Sequence, residues 1–274
     1  MPSTYAPARI IYPGGLVHAL CLSWDDGQEY DRRLVGILDG HGIPATFHLV
    51  SAMIDHGDQR FRFVVPDEIA TLYARHEVAA HCRHHASAQW SHPERWIADL
   101  LDDRRRLEAL SGRLVRGAAW PGGAAVGGLD RVMSGIGIDW CRTVGSGNTS
   151  IPDDGRWHHW DPTCTWAEAE TRLAPFLANR GGGVFMAWGH SYELERDDGW
   201  NRVDRLATAW AAAKAWRATC GEIYDYITAW RRLRWSANGC LVHNPNAITV
   251  WYMHLGKVDS VRPGAMASLA APDG

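Results

Sequence analysis

Two adjacent carboxylates, Asp25 and Asp26, close an apolar run (His18-Ala-Leu-Cys-Leu-Ser-Trp24) and are followed at once by Gly27. Alone, such an Asp-Asp-Gly stretch is an ordinary turn. A second motif, His81-Cys82-Arg83-His84-His85, follows another apolar run, Glu77-Val78-Ala79-Ala80. One carboxylate with two histidines supplies the oxygen and nitrogen donors a divalent ion takes in a catalytic site, with a position left open for water. Asp26, His81 and His85 are the candidate ligands, because i,i+4 spacing sets His85 beside His81 on a helical turn while His84 lies off that line. An ion held there lowers the pKa of its water, and the spare carboxylate, Asp25, would take the proton. A third apolar run, Val184-Phe-Met-Ala-Trp-Gly-His190, ends in a histidine that would protonate a leaving amine or alkoxide, with Glu193 as a partner to orient it.

Each motif stands where a short apolar run stops at a turn, the pattern of a buried strand. The acids would then sit at a strand's carboxyl end, where α/β barrels gather their chemistry. Strands are expected at 18–24, 45–50, 77–81, 117–120, 138–144 and 184–189, and helices at 30–40, 66–75, 93–110, 165–179 and 200–220. That alternation predicts βα units on a largely parallel sheet. The helix at 93 has Ser91 just upstream, Pro93 at its start and Glu94 in its first turn. The stretch 145–160, rich in Gly, Ser, Asn, Pro and Asp, reads as a long surface loop. Beyond about Arg232 the pattern changes: residues 241–252 carry β-branched and aromatic strand signals around an Asn-Pro turn. The expected organisation is a barrel over 1–232 and a small β extension, 233–274, packed upon it.

Composition narrows the partners. With 46% hydrophobic and 22% charged residues the chain is an ordinary globule, and a net charge of −3 argues against nucleic acid or an anionic membrane. Fifteen tryptophans are the outlier. Most indoles belong in a core, but some stack on sugar faces, and Trp120, Trp160, Trp188 and Trp200 are the candidates. The six cysteines form no C-x-x-C pair and suit a reduced interior. The first nine residues lack the apolar centre of a signal peptide, and no apolar stretch is long enough to span a bilayer, so a soluble, cytoplasmic chain is expected.

Taken in order, these motifs resemble the polysaccharide deacetylase family (the NodB-homology group, carbohydrate esterase family four). Ser23-Trp24-Asp25-Asp26-Gly27 is similar to the family's T-F-D-D-G, and His81-Cys82-Arg83-His84-His85 to its H-[S/T]-x-x-H. Ala45-Thr46-Phe47-His48 resembles the A-T-F-F strand, Ala119-Trp120-Pro121-Gly122-Gly123 the proline-containing third motif, and His190 the late catalytic histidine, here in a divergent Trp-Gly-His-Ser-Tyr-Glu setting. The resemblance implies a distorted (β/α) barrel of fewer than eight units and metal-dependent hydrolysis of acetyl groups, mostly N-linked, on a carbohydrate. It implies Asp25 as base, Asp26, His81 and His85 as metal ligands, and His190 as acid. Trp120 and Pro121 would lie on the substrate side, with a backbone N–H near Trp120 as oxyanion donor. Zinc is the expected ion, with cobalt, nickel or manganese as alternatives. Two departures stand out: no arginine occupies the third motif, for which Arg142 on the next expected strand is the candidate substitute, and Cys82 replaces the usual Ser or Thr. Two rival readings are a small-molecule or cyclic-amide amidohydrolase on the same barrel, and a catalytically impaired carbohydrate-binding module.

Overall fold

In chain order the strands are β1 (Arg9–Ile11), β2 (His18–Asp26), β3 (Thr46–Leu49), β4 (Glu77–Ala80), β5 (Gly117–Ala119), β6 (Trp140–Arg142), β7 (Cys164–Thr165), β8 (Gly183–His190), β9 (Trp216–Arg217), β10 (Arg234–Trp235), β11 (Leu241–His243), β12 (Val250–His254), β13 (Lys257–Val261) and β14 (Met266–Ser268). The helices are α1 (Asp31–Gly40), α2 (Ser51–Ile54), α3 (Ile69–Leu72), α4 (Pro93–Ser111), α5 (Leu129–Gly135), α6 (Trp166–Ala178), α7 (Gly199–Ala212) and α8 (Cys220–Arg231). The computed structural model describes residues 8–54, 62–153 and 155–269, so the stretch 1–7, read above for a leader, lies outside the described residues. Among the described residues no helix is long and apolar enough to cross a membrane.

The main sheet runs β6-β5-β4-β3-β2-β8-β7 with every neighbour parallel, and β9 pairs with the lower part of β2. It curls into a half-barrel flanked by helices, the distorted (β/α) barrel that the alternation predicts. Side chains alternate along a strand, so each strand serves two faces. Leu20, Leu22 and Trp24 of β2, Phe47 and Leu49 of β3 and Phe185 of β8 pack with Leu34 and Leu38 of α1, Leu100 and Leu107 of α4 and Leu206 of α7. Each such side chain contributes roughly 1.5–3 kcal/mol by leaving water. The other face offers small residues, Ala19, Cys21 and Ala79, and they admit Ile223, Tyr226 and Ile227 of α8. Gly117 serves the same end, since a Cβ there would stand 1.9 Å from the Trp140 ring.

Helix α8 departs from expectation. The helix expected over 200–220 ends as α7 at Ala212, the chain then adds β9 to the sheet, and a new helix starts at Cys220. Its start signal is a reciprocal cap in which Glu222 N–H donates to Thr219 Oγ1 (3.2 Å) and Thr219 N–H to Glu222 Oε2 (2.8 Å). The helix expected over 66–75 is shorter, a 3-10 turn at Pro66–Glu68 running into α3. Strands β10, β11 and β14 form one small antiparallel sheet, and β12 and β13 form another with the N-terminal β1. The β extension is thus completed by the start of the chain. Tyr226 of α8 fastens that second sheet: its hydroxyl donates to Ile11 O (2.5 Å) and accepts from Trp251 N–H (2.9 Å).

Candidate active site

The face that packs on α8 at one end of the sheet carries the chemistry at the other. Counting by twos, Ala19 and Cys21 lead to Ser23 and Asp25, Thr46 to His48, Ala79 to His81, Trp140 to Arg142, and Met186 to Trp188 and His190. Register brings them level, with Asp25 opposite both His48 and His190, and Ser23 opposite Trp188.

Beyond the ends of β2 and β4 the ligand candidates converge. One donor atom each from Asp26, His81 and His85 lies within 4.8 Å of the others, and among the described residues no other trio of such donors meets that distance. Asp26 Oδ1 is 3.8 Å from Nε2 of His81 and 3.8 Å from Nε2 of His85, and this buried oxygen has no hydrogen-bond partner. Two donors each about 2 Å from one ion stand roughly 3–4 Å apart, so the trio fits a divalent cation. His81 is prepared for that role, because its Nδ1–H donates to Ala119 O (2.9 Å) and leaves the Nε2 lone pair free. Burial lowers its pKa to about 3, which keeps the ring neutral. The backbone is strained here: Asp26, Cys82 and His85 hold φ values of 79°, 60° and 53°. Non-glycine residues adopt such values at a cost of order 1–3 kcal/mol each, and they cluster at functional sites.

Asp25 sits beside the trio, 3% exposed, in a different environment. Arg142, wholly buried, donates from Nη2 to both Asp25 oxygens, while its guanidinium lies over the Trp188 ring at 4.7 Å. Burial alone would raise the Asp25 pKa, but the charge of Arg142, with the contact from His48, holds it well below the carboxylate range. On the far side His190 Nε2 is 4.0 Å from Asp26 Oδ2, and Nδ1 donates to Glu193 Oε1 (2.9 Å). Glu193 is itself held by Trp166 Nε1–H (2.6 Å). Burial would lower the His190 pKa, yet the Glu193 hydrogen bond and the charges of Asp25 and Asp26 raise it.

Not every expected residue reaches this site. Trp120 is 1% exposed, stacked on Trp96 at 4.9 Å with its indole N–H on His158 O, and Trp160 is wedged edge-on between Trp140 and Trp157. Both are core residues, and Pro121 is buried beside Trp120. The Trp120 backbone N–H donates to Arg142 O (3.0 Å) and so does not serve as an oxyanion donor. Of the five residues expected on the substrate side, Trp188 is the one in the site, where it supports Arg142, whereas the Trp200 ring lies under Arg33 (4.2 Å) and its N–H donates to Glu195 (2.6 Å). His84 turns away to Asp99 (2.5 Å).

Three residues here are given no role by the sequence reading. His48 meets Asp25 at 3.2 Å. Asp103 of α4 accepts the His81 and Ser51 backbone N–H groups (2.9 Å each) and fixes the loop that bears the histidines. Asp31, at the start of α1 and fully buried, accepts from Tyr73 Oη (2.6 Å) and from Oγ of Ser191, the residue after His190 (2.5 Å). Burial raises the Asp31 pKa to about 7 against those two hydrogen bonds. The folded chain therefore keeps a proton that the unfolded chain releases near pH 4, and stability from this group falls as pH rises through that window. The stability of wild type relative to Asp31→Asn should be greatest at about pH 4 and below and smallest above pH 7 in urea melts. A difference that stays flat across that range contradicts the assignment.

A parallel half-barrel with a carboxylate–histidine trio, a clamped carboxylate and an oriented histidine at its carboxyl end defines a hydrolase-type centre. Residues 17–139 match the family model described as polysaccharide deacetylase. The match takes in a little under half of the chain and marks that stretch as similar to the polysaccharide deacetylases. Similar solved structures agree on the fold. A Mycobacterium smegmatis protein assigned to the polysaccharide deacetylases has a TM-score of 0.62 at 18% identity, over 82% of this chain and 96% of that one. A family 4 acetyl xylan esterase from Clostridium thermocellum, in complex with a cobalt ion, has a TM-score of 0.54 at 15% identity, over 76% and 90%. A CE4 family pseudoenzyme from Bacillus anthracis has a TM-score of 0.53 at 16% identity, over 78% and 67%. A search of curated proteins returned no match. The matched region includes Asp25, Asp26, His48, His81 and His85, whereas Arg142, Trp188, His190 and Glu193 lie beyond it and are assigned by geometry.

Proposed function

We propose that this chain removes N-linked acetyl groups from a carbohydrate, with a divalent ion, zinc in the first instance, held by Asp26, His81 and His85. The observation that carries the reading is the trio of mutually facing donors, within 4.8 Å of one another, with Asp25 and His190 at its sides. When bound, the ion would polarise the acetyl carbonyl and acidify a water. Asp25, kept ionised by Arg142, takes the proton of the attacking water. His190, steadied by Glu193, delivers a proton to the departing amine. The two groups differ in environment as an acid–base pair requires, one carboxylate held charged and one imidazole pushed toward its protonated form.

Acetate release from N-acetylated sugars, oligosaccharides and small amides tests this, with zinc-loaded and chelator-stripped protein side by side. Release from sugars should fall by at least about 100-fold on chelation and return with added zinc or cobalt. Turnover confined to small amides would replace the carbohydrate by a compact substrate. Binding of zinc with no turnover of any substrate would overturn the catalytic reading.

A further inference from the structure

We infer that His48 is a positioning residue for Asp25, a second clamp that fixes which carboxylate oxygen faces the site. The inference rests on the reading of Asp25 as base and adds a residue to it. His48 is 0% exposed on β3, directly in register with Asp25. Its Nδ1 lies 3.2 Å from Asp25 Oδ1, 3.3 Å from Trp24 O and 3.4 Å from Ser23 Oγ. A carboxylate and a carbonyl are acceptors only, so Nδ1 must carry the hydrogen. Nε2 is buried without a partner, and the ring stands edge-on to Trp140 at 5.7 Å, so nothing on that side competes for a different tautomer.

The consequence is an asymmetric carboxylate. Arg142 touches both oxygens and cannot distinguish them. His48 stands against Oδ1, its Nδ1 3.2 Å away, while Oδ2 lies 3.8 Å from His81 Nε2 and is the oxygen turned toward the ligand trio. A base must present a lone pair to one water in one direction, and a second donor on the opposite oxygen removes the rotation that Arg142 permits.

The test has two arms. With 15N-histidine-labelled protein, the His48 signal, assigned by its loss in His48→Asn, should report a protonated Nδ1 whose proton resonates far downfield and moves in Asp25→Asn. An Nε2-protonated His48, or an Nδ1 proton unmoved by Asp25→Asn, overturns the inference whatever the activity. In turnover, His48→Phe should lower kcat by about 10- to 100-fold, the worth of one charge-assisted hydrogen bond, with KM changed less than about twofold. His48→Asn, which returns an N–H near the Nδ1 position, should regain most of that loss. Unchanged kcat in His48→Phe, or no recovery in a folded His48→Asn, also overturns it. A wild type that turns over nothing while the NMR signature is intact refutes the deacetylase reading and leaves the contact standing.

Discussion

Replacing Asp25 by Asn is expected to lower kcat by about 10²- to 10⁴-fold while the protein still binds one divalent ion. The two halves of that result come from different oxygens. The donors proposed for the ion are Asp26, His81 and His85, which converge without Asp25. Asp25 faces inward from β2 onto Arg142 and His48, and an amide there keeps the shape but has no lone pair basic enough to take a water proton. Cobalt substitution makes the binding half visible, since the d–d absorption of the bound ion should keep its intensity and position. Loss of the ion together with the activity would make Asp25 a ligand and leave the base unassigned. His190→Ala should likewise keep the ion, because its Nε2 is 4.0 Å from Asp26 and its Nδ1 is engaged by Glu193.

The residues of that experiment were legible in the sequence for a local reason. Asp25, Asp26, His81 and His190 each end an apolar run, and a run that ends at a turn in a parallel sheet points its last residues at the carboxyl face. The i,i+4 argument also selected His85 over His84, although Cys82 and His85 in fact take left-handed backbone and the loop is a strained turn and not a helix. Arg142 was reached only as the candidate substitute for the arginine the third motif lacks; its contact with Asp25, across 117 positions and from β6 with β5, β4 and β3 lying between that strand and β2, follows from no spacing rule. What escaped altogether depends on contacts distant in sequence. His48 looked like one more residue of a buried strand, and Asp103 lay hidden beside the arginine run 104–106 of α4. The indoles failed differently: Trp120 and Trp160 are as aromatic as a sugar platform, but their surroundings, Trp96, Trp140 and Trp157, are what bury them. Helix α8 had a readable start in Thr219-Cys-Gly-Glu222, and placing it would have divided the region after 200 correctly.

Arg142→Met should destabilise the fold by about 3–5 kcal/mol and abolish most turnover, and the two effects are separable. The guanidinium and the Asp25 carboxylate are 0% and 3% exposed, so both charges have been taken out of water and each depends on the other for compensation. Arg142 also donates to Thr143 O (3.0 Å) and lies over Trp188, whereas its Nε has no partner, so the site satisfies the group incompletely even when intact. Breaking such a pair from either side is costly, because the charge left behind stays buried, while removing both charges is often close to neutral. Asp25→Asn should therefore be less stable than wild type, and the double variant Asp25→Asn/Arg142→Met should recover most of that stability in urea melts without recovering any turnover. Arg142→Lys belongs between wild type and Arg142→Met: it restores a positive charge, but a single ammonium on a flexible stem cannot reproduce the planar contact with Trp188. If both single variants melt with wild type, the pair is not the buried, mutually dependent contact described. If the double variant regains stability and activity together, the ion pair serves only the fold and the proton acceptor lies elsewhere. Stability without activity in the double variant is the pattern in which the barrel tolerates an uncharged pair at this position, and the charges are there for the reaction.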